Sequence, residues 1–228
     1  MVCDDNPSVV DDGVEAEGEG RYYLKLAAAF VRGRLGAATA LTAEQAIATG
    51  RAQGLRLHKF KQQAELPRVR RVLGVLHGLA PTSLLDIGSG RGTFLWPLLN
   101  EFPQLEVTAI DINPVRVSDL DAVRRGGIGN LRAWQMDAAK IDLPDKSVDV
   151  VTALEVFEHL PQPQLAAREV VRLARRFVIV SVPSKEDDNP EHIQLFTPVS
   201  LEAMLRQAGA QSVKLDYVLN HIIAVAKV

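Results

Sequence analysis

Leu84-Leu85-Asp86-Ile87-Gly88-Ser89-Gly90-Arg91-Gly92 is the stretch that decides the fold. An apolar strand, Ser83–Ile87, runs into a glycine turn, and a helix is predicted from Gly92 to Glu101. Glycines let the backbone approach a ligand, and the free N–H groups of a new helix can face it. A second apolar segment, Glu106–Asp111, ends in a carboxylate about twenty residues after the turn, where it can accept both hydroxyls of a ribose. The pair describes a nucleoside-binding α/β domain.

The spacing argues about which nucleoside. Dinucleotide-binding turns read G-x-G-x-x-G, and here the third position is Thr93. Asp86 stands two residues before the first glycine, where it would repel a pyrophosphate and suit a cationic ligand. S-adenosylmethionine has no phosphate and carries a sulfonium and an ammonium group. Leu85-Asp86-Ile87-Gly88-Ser89-Gly90-Arg91-Gly92 resembles the first motif of the class I S-adenosylmethionine-dependent methyltransferases. The resemblance runs from about Ser83 to the C-terminus.

Outward from the turn, strands and helices alternate. Predicted helices cover Pro114–Arg125, Gln164–Leu173 and Pro198–Ala208. Predicted strands cover Leu131–Gln135, Val148–Leu154 and Phe177–Val182, with a terminal antiparallel pair at Val213–Leu219 and Ile222–Lys227. Val148–Leu154 is nearly all apolar, as a strand buried on both faces should be. The expectation is an α/β, Rossmann-like fold: a mainly parallel seven-stranded sheet with helices on both faces and ligands at the carboxyl ends of the strands. Upstream, helices are expected at Arg21–Leu35, from Thr42 to about Gln53, and from Pro67 until Gly78 and Pro81 end it. This gives three parts: an acidic, disordered tail over 1–20, a helical N-terminal cap or substrate region over 21–80, and a methyltransferase-like domain over 81–228.

Bulk properties exclude several classes. The chain has 228 residues, 47% hydrophobic and 24% charged, with a net charge of -2. That suits a soluble globule without global attraction to nucleic acid or membrane. One cysteine, Cys3, excludes a disulfide framework or a cysteine metal site. No apolar run reaches membrane-spanning length, and the acidic start lacks a signal-peptide pattern, so a cytoplasmic location is expected. Charge is uneven. Met1 to Gly20 holds seven acids and no Lys or Arg, whereas Arg51 to Arg71 holds seven basic residues and one acid. The basic stretch reads either as a solvated helix face or as an anion-contacting lid. Aromatic content of 5% offers no evident stacking platform for single-stranded nucleic acid.

Carried over residue by residue, the resemblance implies that Asp86, Gly88, Ser89 and Gly90 hold the amino-acid part of S-adenosylmethionine. It further implies that Asp111 accepts from the ribose, that Ile112 packs on adenine, and that Asp137 with Ala138 meets the adenine edge. Glu155-Val156-Phe157-Glu158-His159 follows the fourth strand, near the expected position of the methyl group. Glu155 reads either as a wall of the cofactor pocket or as a metal ligand. A similar string in ubiquinone-biosynthesis O-methyltransferases is associated with a divalent cation. In small-RNA 3′-terminal ribose methyltransferases such a string joins a later histidine, here His192. The candidate metal set is therefore Glu155, Glu158, His159 and His192, for Mg²⁺, Mn²⁺ or Zn²⁺. The interval from His159 to His192 is short for the RNA enzymes. The string His192-Ile193-Gln194-Leu195-Phe196-Thr197-Pro198 resembles small-molecule methyltransferases instead.

His159 and His192 are the candidate catalytic residues, as proton acceptors for an oxygen nucleophile. His58 is a minor substrate-side candidate, and His77 and His221 read as surface or turn residues. The function implied is methyl transfer to a small-molecule acceptor, at oxygen. The alternatives are metal-assisted ribose 2′-O-methylation of RNA, a nicotinamide-dependent oxidoreductase, and a catalytically silent partner of the same fold. The acceptor and the oligomeric state are not encoded in any motif read here.

Overall fold

The computed structural model describes residues 23–36, 41–62 and 66–228. The acidic tail expected over 1–20 lies outside the described residues. Seven helices and seven strands follow in the order α1 (Leu24–Leu35), α2 (Ala43–Ala52), α3 (Pro67–Leu79), β1 (Ser83–Ile87), α4 (Leu95–Glu101), β2 (Glu106–Asp111), α5 (Pro114–Arg125), β3 (Leu131–Gln135), β4 (Val148–Leu154), α6 (Pro163–Leu173), β5 (Ala174–Pro183), α7 (Pro198–Gln207), β6 (Ser212–Val218) and β7 (His221–Lys227). Short 3-10 turns occupy His58–Phe60 and Phe157–His159. Among the described residues no helix is long and apolar enough to cross a membrane.

The sheet order is β3-β2-β1-β4-β5-β7-β6. The first five strands are parallel, and β7 pairs antiparallel with both β5 and β6. Strand order reverses between β1 and β4, which opens a crevice at their carboxyl ends, the usual ligand position in such sheets. The register brings Asp86 beside Ala109 and Thr152, so the glycine turn and the ends of β2 and β4 face one space. Six of the seven β4 residues are buried, as required of a central strand covered on both faces.

Two apolar clusters fill the layers on either side of the sheet. One joins α1, α2 and α3 to α4, α5 and one sheet face, with Phe30, Phe60, Leu76, Leu98 and Val107 among its members. The other lies under α6 and α7, with Phe157, Val170, Leu205 and Ile222. The N-terminal helices thus share their core with the sheet. Thr42 caps α2 through a capping box with Gln45, and Pro67 opens α3, as their sequence signals require.

The tightest seam is between α1 and α5. A Cβ on Gly33 would lie 1.9 Å from the Ala122 carbonyl oxygen, and one on Gly126 would lie 1.7 Å from that of Ala29. Each backbone occupies the space a side chain would need on the other.

Three boundaries differ from expectation. α3 runs through Gly78 to Leu79, and Ala80 ends it in a left-handed conformation (φ 43°). α4 starts at Leu95, three residues late, because Gly92 is held at φ 87° and the chain is still turning. β5 begins at Ala174, directly after α6.

Candidate active site

A cavity of about 610 Å³ opens at the carboxyl ends of β1, β2, β3 and β4. Asp86, Gly88, Ser89, Gly90, Asp111, Ile112, Asp137, Ala138 and Glu155 all line it, with His159, Leu160 and Glu191 at one side. The residues singled out for a cofactor are therefore brought together. Arg68, on the first turn of α3, lines the same cavity. It carried no individual signal in the sequence beyond its place in a basic stretch.

The glycine turn is shaped by close contacts. Gly88 adopts φ 69°, and a Cβ there would stand 2.6 Å from a Val156 methyl. A side chain at this position would strain the turn and push β4's exit loop away from β1. Gly92 seats the Trp96 indole, 2.0 Å from where its Cβ would be, and the indole N–H donates to the Arg91 carbonyl.

Asp86 is buried at the end of β1 and accepts a hydrogen bond from the Thr152 hydroxyl at 2.8 Å. Burial pushes its carboxyl up to about 6, against the opposing hydrogen bonds, with a smaller contribution from Asp111. A carboxylate in this setting lacks a cation. Asp111 is also buried. One oxygen accepts from the Gly90 N–H and the other from the Asn113 N–H, each at 2.9 Å, and Arg116 lies 3.4 Å away. Oδ2 takes both the Gly90 N–H and Arg116, so Oδ1 is the oxygen that keeps a lone pair for a further donor. Ile112 is 66% exposed, an apolar side chain bare at the cavity rim where a flat ring can lie. Asp137 accepts from the Ala139 N–H, which turns the chain after β3.

The segment after β4 divides in two. Glu158, His159 and His192 place one ligand atom each within 4.8 Å of one another. Glu158 is fully buried, and neither carboxylate oxygen has a partner among the described residues. Burial, and secondarily the charge of Glu155, push its carboxyl up to about 8. His159 Nδ1 faces the Glu191 carbonyl at 2.9 Å, and His192 Nδ1 faces Asp187 at 2.9 Å. Both Nδ1 atoms therefore donate, which leaves each Nε2 lone pair open, the tautomer used in metal ligation with an outer partner. His192 does not line the main cavity; its ring lies edge-on behind His159, with centroids 4.9 Å apart.

Glu155 does not join this cluster, and the four-ligand expectation is corrected to three. Its carboxylate turns the other way, toward His221 Nε2 at 3.0 Å and the Ser181 hydroxyl at 3.2 Å, with Arg68 at 3.9 Å. The reading of His221 as a surface or turn residue is also corrected. It starts β7, and β7 lies beside β5, which carries it to the end of β4.

Elsewhere, His77 packs on Phe102 and bonds Glu101 at the surface. His58 lines a separate pocket of about 230 Å³ beside the main one. Three of the seven basic residues in the stretch meet internal acids: Lys59 pairs with Asp119, Arg71 with Asp216 and Arg68 with Glu155.

Residues 85–176 match the family profile of a methyltransferase domain. Over that segment the chain is similar to methyltransferase domains. It is 28% identical over 158 residues to a malonyl-[acyl-carrier protein] O-methyltransferase of Methylococcus capsulatus, which covers 63% of this chain and 57% of that protein. It is 31% identical over 100 residues to a ubiquinone biosynthesis O-methyltransferase of Pseudomonas fluorescens, covering 43% and 42%. The chain thus spans between 29% and 57% of the length of the curated relatives it matches. A solved S-adenosylmethionine-dependent methyltransferase from Aquifex aeolicus superposes with a TM-score of 0.56 at 23% identity, covering 72% of this chain and 90% of that one. Were S-adenosylmethionine, the cofactor named for that solved structure, to bind here, the donor set would fit it. The buried Asp86 carboxylate would offer a counter-charge to its ammonium group, and the open lone pair on Asp111 Oδ1 would suit its ribose.

Proposed function

We propose that this protein transfers the methyl group of S-adenosylmethionine to an oxygen of a small-molecule acceptor. The observation that carries the reading is that carboxylates at the ends or exits of three neighbouring strands, Asp86, Asp111 and Asp137, line one cavity beside a glycine turn. In this reading Asp86 neutralises the cofactor's ammonium group. Arg68 receives its carboxylate, Asp111 its ribose hydroxyls, and Asp137 its adenine amino group. Ile112 and Ala138 cover the ring, and Glu155 walls the cavity beneath the methyl group.

Transfer from a sulfonium is an in-line displacement, so alignment and exclusion of water supply most of the rate. The helical region before β1 contributes Arg68 and Val69 to the cavity wall, which supports its role as an acceptor-side cap. Asp86 argues against a nicotinamide dinucleotide, whose pyrophosphate it would repel. Calorimetric titration with S-adenosylhomocysteine and with NADH tests this. Binding of the first alone is expected, and binding of NADH alone would overturn it.

A second reading is favoured by the Glu158 carboxylate, buried without a partner beside two histidines whose Nε2 lone pairs are open. We infer that Glu158, His159 and His192 hold a divalent cation. One carboxylate and two imidazoles suit Zn²⁺ or Mn²⁺ better than Mg²⁺. A bound cation would lower the pKa of an acceptor hydroxyl. Equilibrium dialysis against Zn²⁺ and Mn²⁺ checks this, with stoichiometric uptake expected and its absence decisive against it.

A further inference from the structure

We propose that Glu155 is the proton acceptor for the methyl-accepting group, that His221 is its positioning residue, and that the acceptor group is accordingly a hydroxyl. This deepens the methyltransferase reading and rests on it. Glu155 lines the cavity and sits immediately after β4 with φ 58°, a left-handed conformation costly for a residue with a side chain. Such strain persists only where surrounding contacts hold it. Here they are the Ser181 carbonyl receiving the Glu155 N–H at 2.9 Å, the Ser181 hydroxyl donating to Oε1, and His221 against Oε2.

The His221 geometry fixes the proton on one ring nitrogen. Nδ1 lies 2.9 Å from the Leu219 carbonyl, which has no proton to give, so Nδ1 carries one. Nε2 then meets Glu155 at 3.0 Å either as a second N–H or as a lone pair. In the second case two lone pairs face each other, and the contact has room for one proton between them. With a proton on Nε2 the ring donates to Oε2, and the carboxylate keeps lone pairs for a proton from the cavity it lines. Among the described residues, Arg68 from α3 and the titratable, buried Glu158 lie around it, and Arg68 at 3.9 Å steadies the carboxylate without occupying both oxygens.

In the reaction the acceptor oxygen attacks the methyl carbon and a C–O bond forms. The C–S bond breaks, and the sulfur keeps the electron pair as a neutral thioether. The hydroxyl proton passes to the Glu155 carboxylate, which His221 holds in place. His159 is less suited to this task, because its open lone pair faces the Glu158 and His192 cluster. A carboxylate acceptor has no proton to deliver and would meet the Glu155 charge.

Two measurements on the full chain test this. Long-range ¹H–¹⁵N spectra of the S-adenosylhomocysteine complex report the ring nitrogens of His221. The expected result is a protonated Nδ1 and an Nε2 resonance that shifts markedly in Glu155→Gln, while Ser181→Ala leaves the ring state in place. An Nε2 resonance indifferent to Glu155→Gln would overturn the pair. The second measurement offers a malonyl-acyl carrier protein, a carboxylate acceptor, with methyl-labelled S-adenosylmethionine. No methyl ester is expected, and its formation would overturn the assignment of a hydroxyl. Calorimetry with S-adenosylhomocysteine on the same samples separates the two levels of argument: failure to bind sinks the methyltransferase reading, whereas the spectra judge the pair itself.

Discussion

Replacing Asp86 by Asn should make the free protein more stable at neutral pH while weakening its hold on the cofactor. Asp86 is buried, and its carboxyl is pushed from 3.8 to about 6. Below pH 3.8 the group is protonated in folded and unfolded chains alike and costs nothing. Between 3.8 and 6 the folded chain binds more protons than the unfolded one, so stability falls as pH rises. Above 6 the full cost of an ionised, buried carboxylate is present, about 3 kcal/mol for a shift near two units. Asn keeps an oxygen for the Thr152 hydroxyl and removes the charge. The gain expected at pH 7.5 is ~2–3 kcal/mol, which for a chain of this size is a rise of roughly 5–10 °C in Tm. At pH 4 the gain should largely vanish. Adding S-adenosylmethionine should reverse the order, because its ammonium group supplies the missing cation to the wild type only. Differential scanning fluorimetry at the two pH values, with and without ligand, checks all of this. A variant equally destabilised at both pH values would refute the argument, since it would mean that the carboxylate is satisfied without a ligand.

Other outcomes follow from named contacts. Gly126→Ala should destabilise by ~1–3 kcal/mol in urea titration, because its Cβ would stand 1.7 Å from the Ala29 carbonyl oxygen and prise α1 from α5. Glu158→Gln should stabilise the metal-free protein at pH 9 but not at pH 4.5, since the cost of ionising Glu158 builds between 4.5 and about 8; in the second reading, it should also abolish any Tm increase produced by Zn²⁺. Asp149 behaves oppositely. Burial raises its carboxyl, but the Thr82 N–H and hydroxyl and Arg175 outweigh this and hold it at about 2. Asp149→Asn should therefore cost ~2 kcal/mol at pH 7 and little at pH 2, measured by chemical unfolding across that range.

The sheet was legible because parallel strands buried on both faces write themselves as apolar runs, and Val148–Leu154 is an example. The convergence of three acids on one cavity was legible for a related reason: Asp86, Asp111 and Asp137 mark strand ends or exits, and strand ends converge in this topology. The opposite wall was not. Glu155 and His221 are 66 residues apart, and their contact depends on β7 lying between β5 and β6, which no local pattern encodes. The same distance problem hid the fate of the basic stretch, whose charges meet Asp119 and Asp216 far along the chain. Glu155 was misplaced into the metal set because spacing alone cannot say which way a side chain turns after a left-handed residue.

The interlocked backbones of α1 and α5 bear on traffic through the site. Two helices seated carbonyl against glycine cannot slide or tilt apart in small steps, so the N-terminal helices make a fixed jamb rather than a swinging door. The cavity rim carries the bare Ile112 and Glu191 of the polar loop between β5 and α7. A cross-link pinning α1 to α5 should therefore leave ligand exchange unchanged, whereas one tethering that loop to the rim should slow it.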